Sequence, residues 1–88
     1  MIWDVLVEVR LHPGIADPQG STIERALPTL GFEGVSGVRV GKAMRFSVDA
    51  PDEVAAQATV EALSARVLAN PVLEETVVTL TAAEPARA

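Results

Sequence analysis

The sequence contains no cysteine, one histidine and three aromatic side chains, Trp3, Phe32 and Phe46. Without thiols there can be no disulfide, thiolate metal site or cysteine nucleophile, which fits a reducing compartment, and a cytoplasmic location is expected. No run approaches the ~20 apolar residues that span a bilayer. Met1 to Leu11 interrupts its apolar residues with Asp4, Glu8 and Arg10, so it lacks a signal peptide's basic leader and unbroken apolar centre. Basic residues are scarce too: seven Lys and Arg stand against twelve Asp and Glu, a net charge of −5. That balance opposes attraction to nucleic-acid phosphates and anionic lipid, so neither nucleic acid nor a membrane is an expected partner.

What is present is aliphatic. Of 88 residues, 49% are hydrophobic, and with so few aromatics the core has to be built from Val, Leu, Ile and Ala. A chain this short forms one thin-cored domain, which gains stability when it is covered by a partner or a second copy. The domain is expected over residues 1–81, followed by a flexible tail over 82–88 that is rich in alanine and polar residues.

Residues 2–11 alternate Trp3, Val5, Val7, Val9 and Leu11 with Asp4, Glu8 and Arg10, the period of a strand with one core face. Asp17-Pro18-Gln19-Gly20 suits a helix start, with Asp as cap and Pro at the first position. Ser21-Thr22-Ile23-Glu24 offers a rival start with capping-box spacing. Ile23, Ala26, Leu27 and Leu30 form a helical apolar stripe, Gly31 suits the stop, and Pro28 predicts a kink or early end. Val38 and Val40, then Met44, Phe46, Val48 and Ala50, predict two strands of a hairpin turning at Gly41-Lys42. Pro51-Asp52-Glu53 opens a second helix with Ala56, Val60, Leu63 and Val67 as its stripe, ended by Asn70-Pro71. Residues 72–81, rich in Val and Thr, predict the last strand. The order is β-α-β-β-α-β: an α+β, ferredoxin-like or related fold with an antiparallel sheet and two helices on one face.

Catalytic equipment is sparse. His12, beside Pro13-Gly14, reads as an exposed loop residue without triad partners. Glu74 and Glu75 point to opposite faces of a strand, and the remaining acids are scattered, those at helix starts being explained by capping. Gly34, Gly37 and Gly41 are spaced for turns, not for a nucleotide fingerprint. The one basic group is Arg39, Lys42 and Arg45, which reads as a solvated or partner-facing edge.

Three segments carry a family resemblance. Asp17-Pro18-Gln19-Gly20, Val38-Arg39-Val40-Gly41-Lys42 and Leu68-Ala69-Asn70-Pro71-Val72-Leu73-Glu74 are similar, in identity, order and spacing, to the PurS family. The resemblance runs from the first strand to about Leu80, with Pro28 as a departure. It implies a non-catalytic, homodimeric or homotetrameric assembly subunit of phosphoribosylformylglycinamidine synthase. That enzyme converts formylglycinamide ribonucleotide to formylglycinamidine ribonucleotide with ATP and glutamine-derived ammonia. A large synthetase subunit would use ATP and magnesium, a separate glutaminase subunit would release ammonia, and this chain would bind no cofactor or metal. The expected partner-facing residues are Asp17, Pro18, Gln19, Gly20, Arg39, Gly41, Lys42, Arg45 and Asn70. Two other readings compete: a ligand-binding regulatory module of ferredoxin-like type, and a small acylphosphatase-like hydrolase. The second lacks the arginine it needs between His12 and Ala16.

Overall fold

The computed structural model describes residues 1–83. Its elements are β1 (Ile2–Leu11), α1 (Pro18–Ala26), a 3-10 turn (Pro28–Leu30), β2 (Lys42–Asp49), α2 (Glu53–Leu63), a π-helical turn (Ser64–Leu68) and β3 (Glu74–Ala82). The three strands form one antiparallel sheet in the order β2-β1-β3. The α+β class, the antiparallel sheet and the two helices are as expected. Beyond residue 83, the tail expected over 82–88 lies outside the described residues, and Ala82 itself belongs to β3.

The central strand obeys its alternation. Trp3, Val5, Val7 and Val9 are buried on the face that receives α2, where they meet Ala50, Ala56 and Val60. Register fixes this arrangement, since Val5 opposes Phe46 on β2 and Leu80 on β3, and a one-residue slip would turn every apolar side chain outward. The opposite face carries Asp4, Leu6 and Glu8 beside Arg45, Ser47 and Thr79.

Both helix starts follow from local chemistry. Asp17 caps α1 with Pro18 at the first position, so the rival start at Ser21 is not used. Asp52 Oδ1 accepts from the Ala55 N–H at 2.8 Å at the start of α2. Pro28 acts as expected: α1 stops at Ala26 and the chain tightens into a 3-10 turn closed by Gly31 at φ 91°.

Two expectations are corrected. First, no strand forms over 38–40, and the sheet has three strands instead of four. The amides that would have paired across a hairpin are taken by side chains: Val38 N–H by Glu24 and Val40 N–H by Asp17. Gly41 has no positive φ and makes no II′ turn. Second, Val67 is 71% exposed, because α2 widens into a π-turn at Ser64–Leu68. The extra residue per turn rotates the stripe, so Leu68 packs against the core in place of Val67. The apolar stripe of the first helix is open to solvent: Ile23, Ala26 and Leu30 are exposed and Leu27 is half-buried.

Val60, fully buried where α2 crosses the sheet, is the element's anchor. Val60→Ala is expected to lower unfolding free energy by about 2–3 kcal/mol, measured by urea denaturation at fixed protein concentration.

Candidate functional site

The three motif segments meet at one end of the sheet. Asp17, only 7% exposed, joins the first two. Its Oδ1 accepts from the Gly20 N–H at 2.9 Å, which is the helix cap, and its Oδ2 accepts from the Val40 N–H at 2.7 Å. One carboxylate thus ties the first turn of α1 to the segment entering β2. Glu24 makes a second tie one turn along, its Oε1 accepting from the Val38 N–H at 2.8 Å.

The segment is also held from its other side. Arg39 donates through Nη1 to the Ile15 carbonyl at 3.0 Å and through Nη2 to the His12 carbonyl at 3.3 Å. His12 carries the chain of contacts on: its N–H donates to the Leu73 carbonyl at 2.9 Å, and its Nε2 lies 3.1 Å from the Pro71 carbonyl. A carbonyl can only accept, so that ring nitrogen bears the proton. The turn after α2 is closed in the same manner. Asn70 Oδ1 accepts from Val72 N–H, Glu74 Oε1 accepts from Asn70 N–H at 2.8 Å, and the Asn70 carbonyl accepts from Glu74 N–H at 2.7 Å.

Two glycines permit the close approach. A Cβ on Gly20 would collide with the Val38 carbonyl oxygen, and one on Gly41 would lie 2.6 Å from the Val9 carbonyl oxygen. Each is required by a neighbouring backbone and not by turn geometry.

Electrostatics follows from these bonds. The Asp17 carboxyl is held below its ordinary range, mainly by the Gly20 amide and then by the Val40 amide. Burial opposes the shift, and the Arg39 charge assists it.

The residues expected to face a partner therefore separate. Asp17, Gly20, Arg39, Gly41 and Asn70 are engaged in shaping this end of the molecule. Pro18, Gln19, Lys42 and Arg45 are exposed. Gln19 and Lys42 border a cleft of about 390 Å³ between the start of α1 and the ends of β1 and β2, with Leu11 and Glu74 in its wall. Arg45 lies apart on the open sheet face, opposite Leu6. The reading of the sequence missed His12 and Glu24 as members of the network. Glu24 was obscured by its capping-box spacing from Ser21, and His12 carried no signal beyond its place between the first strand and the first motif. Among the described residues no group of three or more His, Asp or Glu is placed to hold a metal ion.

A conformer-independent test uses pH. A carboxyl with a lowered folded pKa contributes stability that is present above the unfolded value of about 3.9 and is lost as pH falls through the folded value. Thermal melts from pH 6 downward are expected to show the wild type losing its advantage over Asp17→Asn as acid is added. At neutral pH the Asn variant melts several degrees lower, because its one carbonyl oxygen cannot satisfy both amides. Gly20→Ala is expected to cost about 1–3 kcal/mol through the collision with Val38, read from the same melts.

With the geometry in place, comparison with known proteins is specific. Residues 4–82 match the family model PurS, described as phosphoribosylformylglycinamidine (FGAM) synthase. The phosphoribosylformylglycinamidine synthase subunit PurS of Synechocystis is 38% identical over 80 residues, covering 91% of this chain and 80% of the relative. The solved PurS of Thermus thermophilus is 33% identical with a TM-score of 0.82, covering 96% of this chain and 100% of that one. A chain in the structure of PurLQS from Thermotoga maritima is 30% identical with a TM-score of 0.85, covering 92% and 99%.

Proposed function

The chain belongs to the PurS family of phosphoribosylformylglycinamidine synthase subunits in purine biosynthesis, and from that premise we propose that it is a non-catalytic assembly subunit. In this reading it bridges a large synthetase subunit and a glutaminase subunit in the cytoplasm, as a homodimer or homotetramer. The complex would convert formylglycinamide ribonucleotide to formylglycinamidine ribonucleotide, with ATP and magnesium at the synthetase and ammonia from glutamine at the glutaminase. The related Thermotoga chain in PurLQS supports a three-part assembly.

One observation carries the non-catalytic part. The polar side chains that a reaction would need at this end, Asp17, Glu24, Arg39 and His12, are all bonded to backbone amides and carbonyls. They determine shape. What they leave outward is a surface bearing Pro18, Gln19 and Lys42, suited to contact with another protein through exposed polar groups.

The test is reconstitution. Purified alone, the chain is expected to show neither ATPase nor glutaminase activity, and to restore glutamine-dependent synthesis when added to the two larger subunits. Full activity of those subunits without it would end the proposal. Gln19→Ala combined with Lys42→Ala is expected to leave the melting temperature nearly unchanged while weakening complex formation about tenfold, because exposed polar groups contribute little to folding but set docking. Arg39→Ala, by contrast, is expected to lower the melting temperature as well, since its guanidinium holds two carbonyls.

A further inference from the structure

The cations of this chain are not spread evenly. Three of its seven Lys and Arg line one cleft, in a sequence whose net charge is −5. Arg10 comes from the end of β1, Arg39 from the segment just before β2 and Lys42 from the first position of β2. The cleft encloses about 390 Å³, within the range of roughly 300–1,000 Å³ that small-molecule pockets occupy. Glu8 of β1 and Glu75 of β3 stand in its wall, and Gly41 lines it with backbone alone.

These charges do not cancel in pairs. Arg10 Nη2 donates to Glu8 Oε2 at 3.1 Å, and Arg10 stands opposite Glu75 in the register of β1 and β3, so its charge is shared between the two acids. Arg39 and Lys42 are left over: among the described residues neither lies within ion-pair distance of a carboxylate. The carboxylate that feels the Arg39 charge, Asp17, is already taken by two amides. Arg39 bonds to the neutral carbonyls of His12 and Ile15, which orient its guanidinium without discharging it. Two of its five N–H groups are used in this way and the rest remain. Because the fork is already held, little of the freedom of a long side chain is left to lose when a ligand binds.

Two uncompensated cations in one cleft call for an anion of matching charge. A carboxylate carries a single charge, whereas a phosphate monoester carries about 1.5 to 2 at neutral pH and offers three strong acceptor oxygens. The acids in the wall accept hydrogen bonds and donate none, so what they favour beside the phosphate is a group bearing hydroxyls.

We propose that this cleft binds a sugar phosphate, with the phosphate held between Arg39 and Lys42 and the sugar hydroxyls donating to Glu8 and Glu75. The inference goes beyond the assembly role and does not rest on it. It places a small-molecule ligand at the end of the sheet that also carries the docking surface, with Lys42 common to the two clefts.

The test is titration of the isotopically labelled chain with ribose 5-phosphate, followed by amide chemical shifts. Saturable shifts centred on Arg39 to Ala43 are expected, with ribose and inorganic phosphate each binding at least tenfold more weakly because each lacks part of the contacts. Lys42→Ala is expected to weaken binding at least tenfold with the melting temperature nearly unchanged, since the side chain is exposed. Glu75→Ala is expected to narrow the gap between ribose 5-phosphate and inorganic phosphate, because it removes an acceptor for hydroxyls and a repulsion of the anion together. Gln19→Ala, which borders the neighbouring cleft and not this one, is expected to leave binding unchanged. No saturation up to about 10 mM ribose 5-phosphate would overturn the proposal. So would equal binding of sulfate or inorganic phosphate, which would reduce the cleft to a general attraction for anions, and so would shifts centred on residues outside it. Reconstitution of synthesis, which tests the assembly role, succeeds or fails independently of each of these results.

Discussion

The carboxylate of Asp17 is the constraint on which the rest of the molecule depends. It offers two acceptor oxygens and no donor, and two backbone N–H groups from segments far apart in sequence occupy them. With the Gly20 amide held, α1 starts in a defined direction; with the Val40 amide held, the chain reaches Gly41 at the right distance from Val9 and enters β2 in register. Arg39 and His12 extend the same construction to the turn at 70–74. An ionised acceptor bonded to amides makes stronger contacts than a neutral one, so a single side chain can set two segments.

The parts of the fold that depend on neighbours in sequence were legible in sequence. The alternation of β1, the caps at Asp17 and Asp52, and the interruption at Pro28 each act within a few residues of themselves. What escaped was decided by distant competition. Val38 and Val40 have strand-like spacing, but spacing does not say whether an amide will meet a neighbouring strand or the side chain of Glu24 or Asp17. Val67 fits a regular helical stripe and is displaced only because the last turn of α2 widens. The stripe on α1 was read correctly as apolar, yet its cover does not come from its own sheet.

The candidate site was legible as a set of motifs and not as a division of labour. Asp17, Gly20, Arg39 and Gly41 stood out together with Pro18, Gln19 and Lys42, because both groups fall in the same short segments. The structure separates those held against neighbouring backbone from those whose side chains are left without such a role. The first group fixes the shape of this end of the sheet, and a preformed surface loses little freedom on docking.

The strand order β2-β1-β3 has a consequence for synthesis. β1 precedes both of its neighbours, which begin at Lys42 and Glu74, and the second of these pairings joins residues more than sixty apart. Contacts of such long sequence separation form late and slow the search. The central strand can pair with β2 first, but its second edge waits until the last strand has been made.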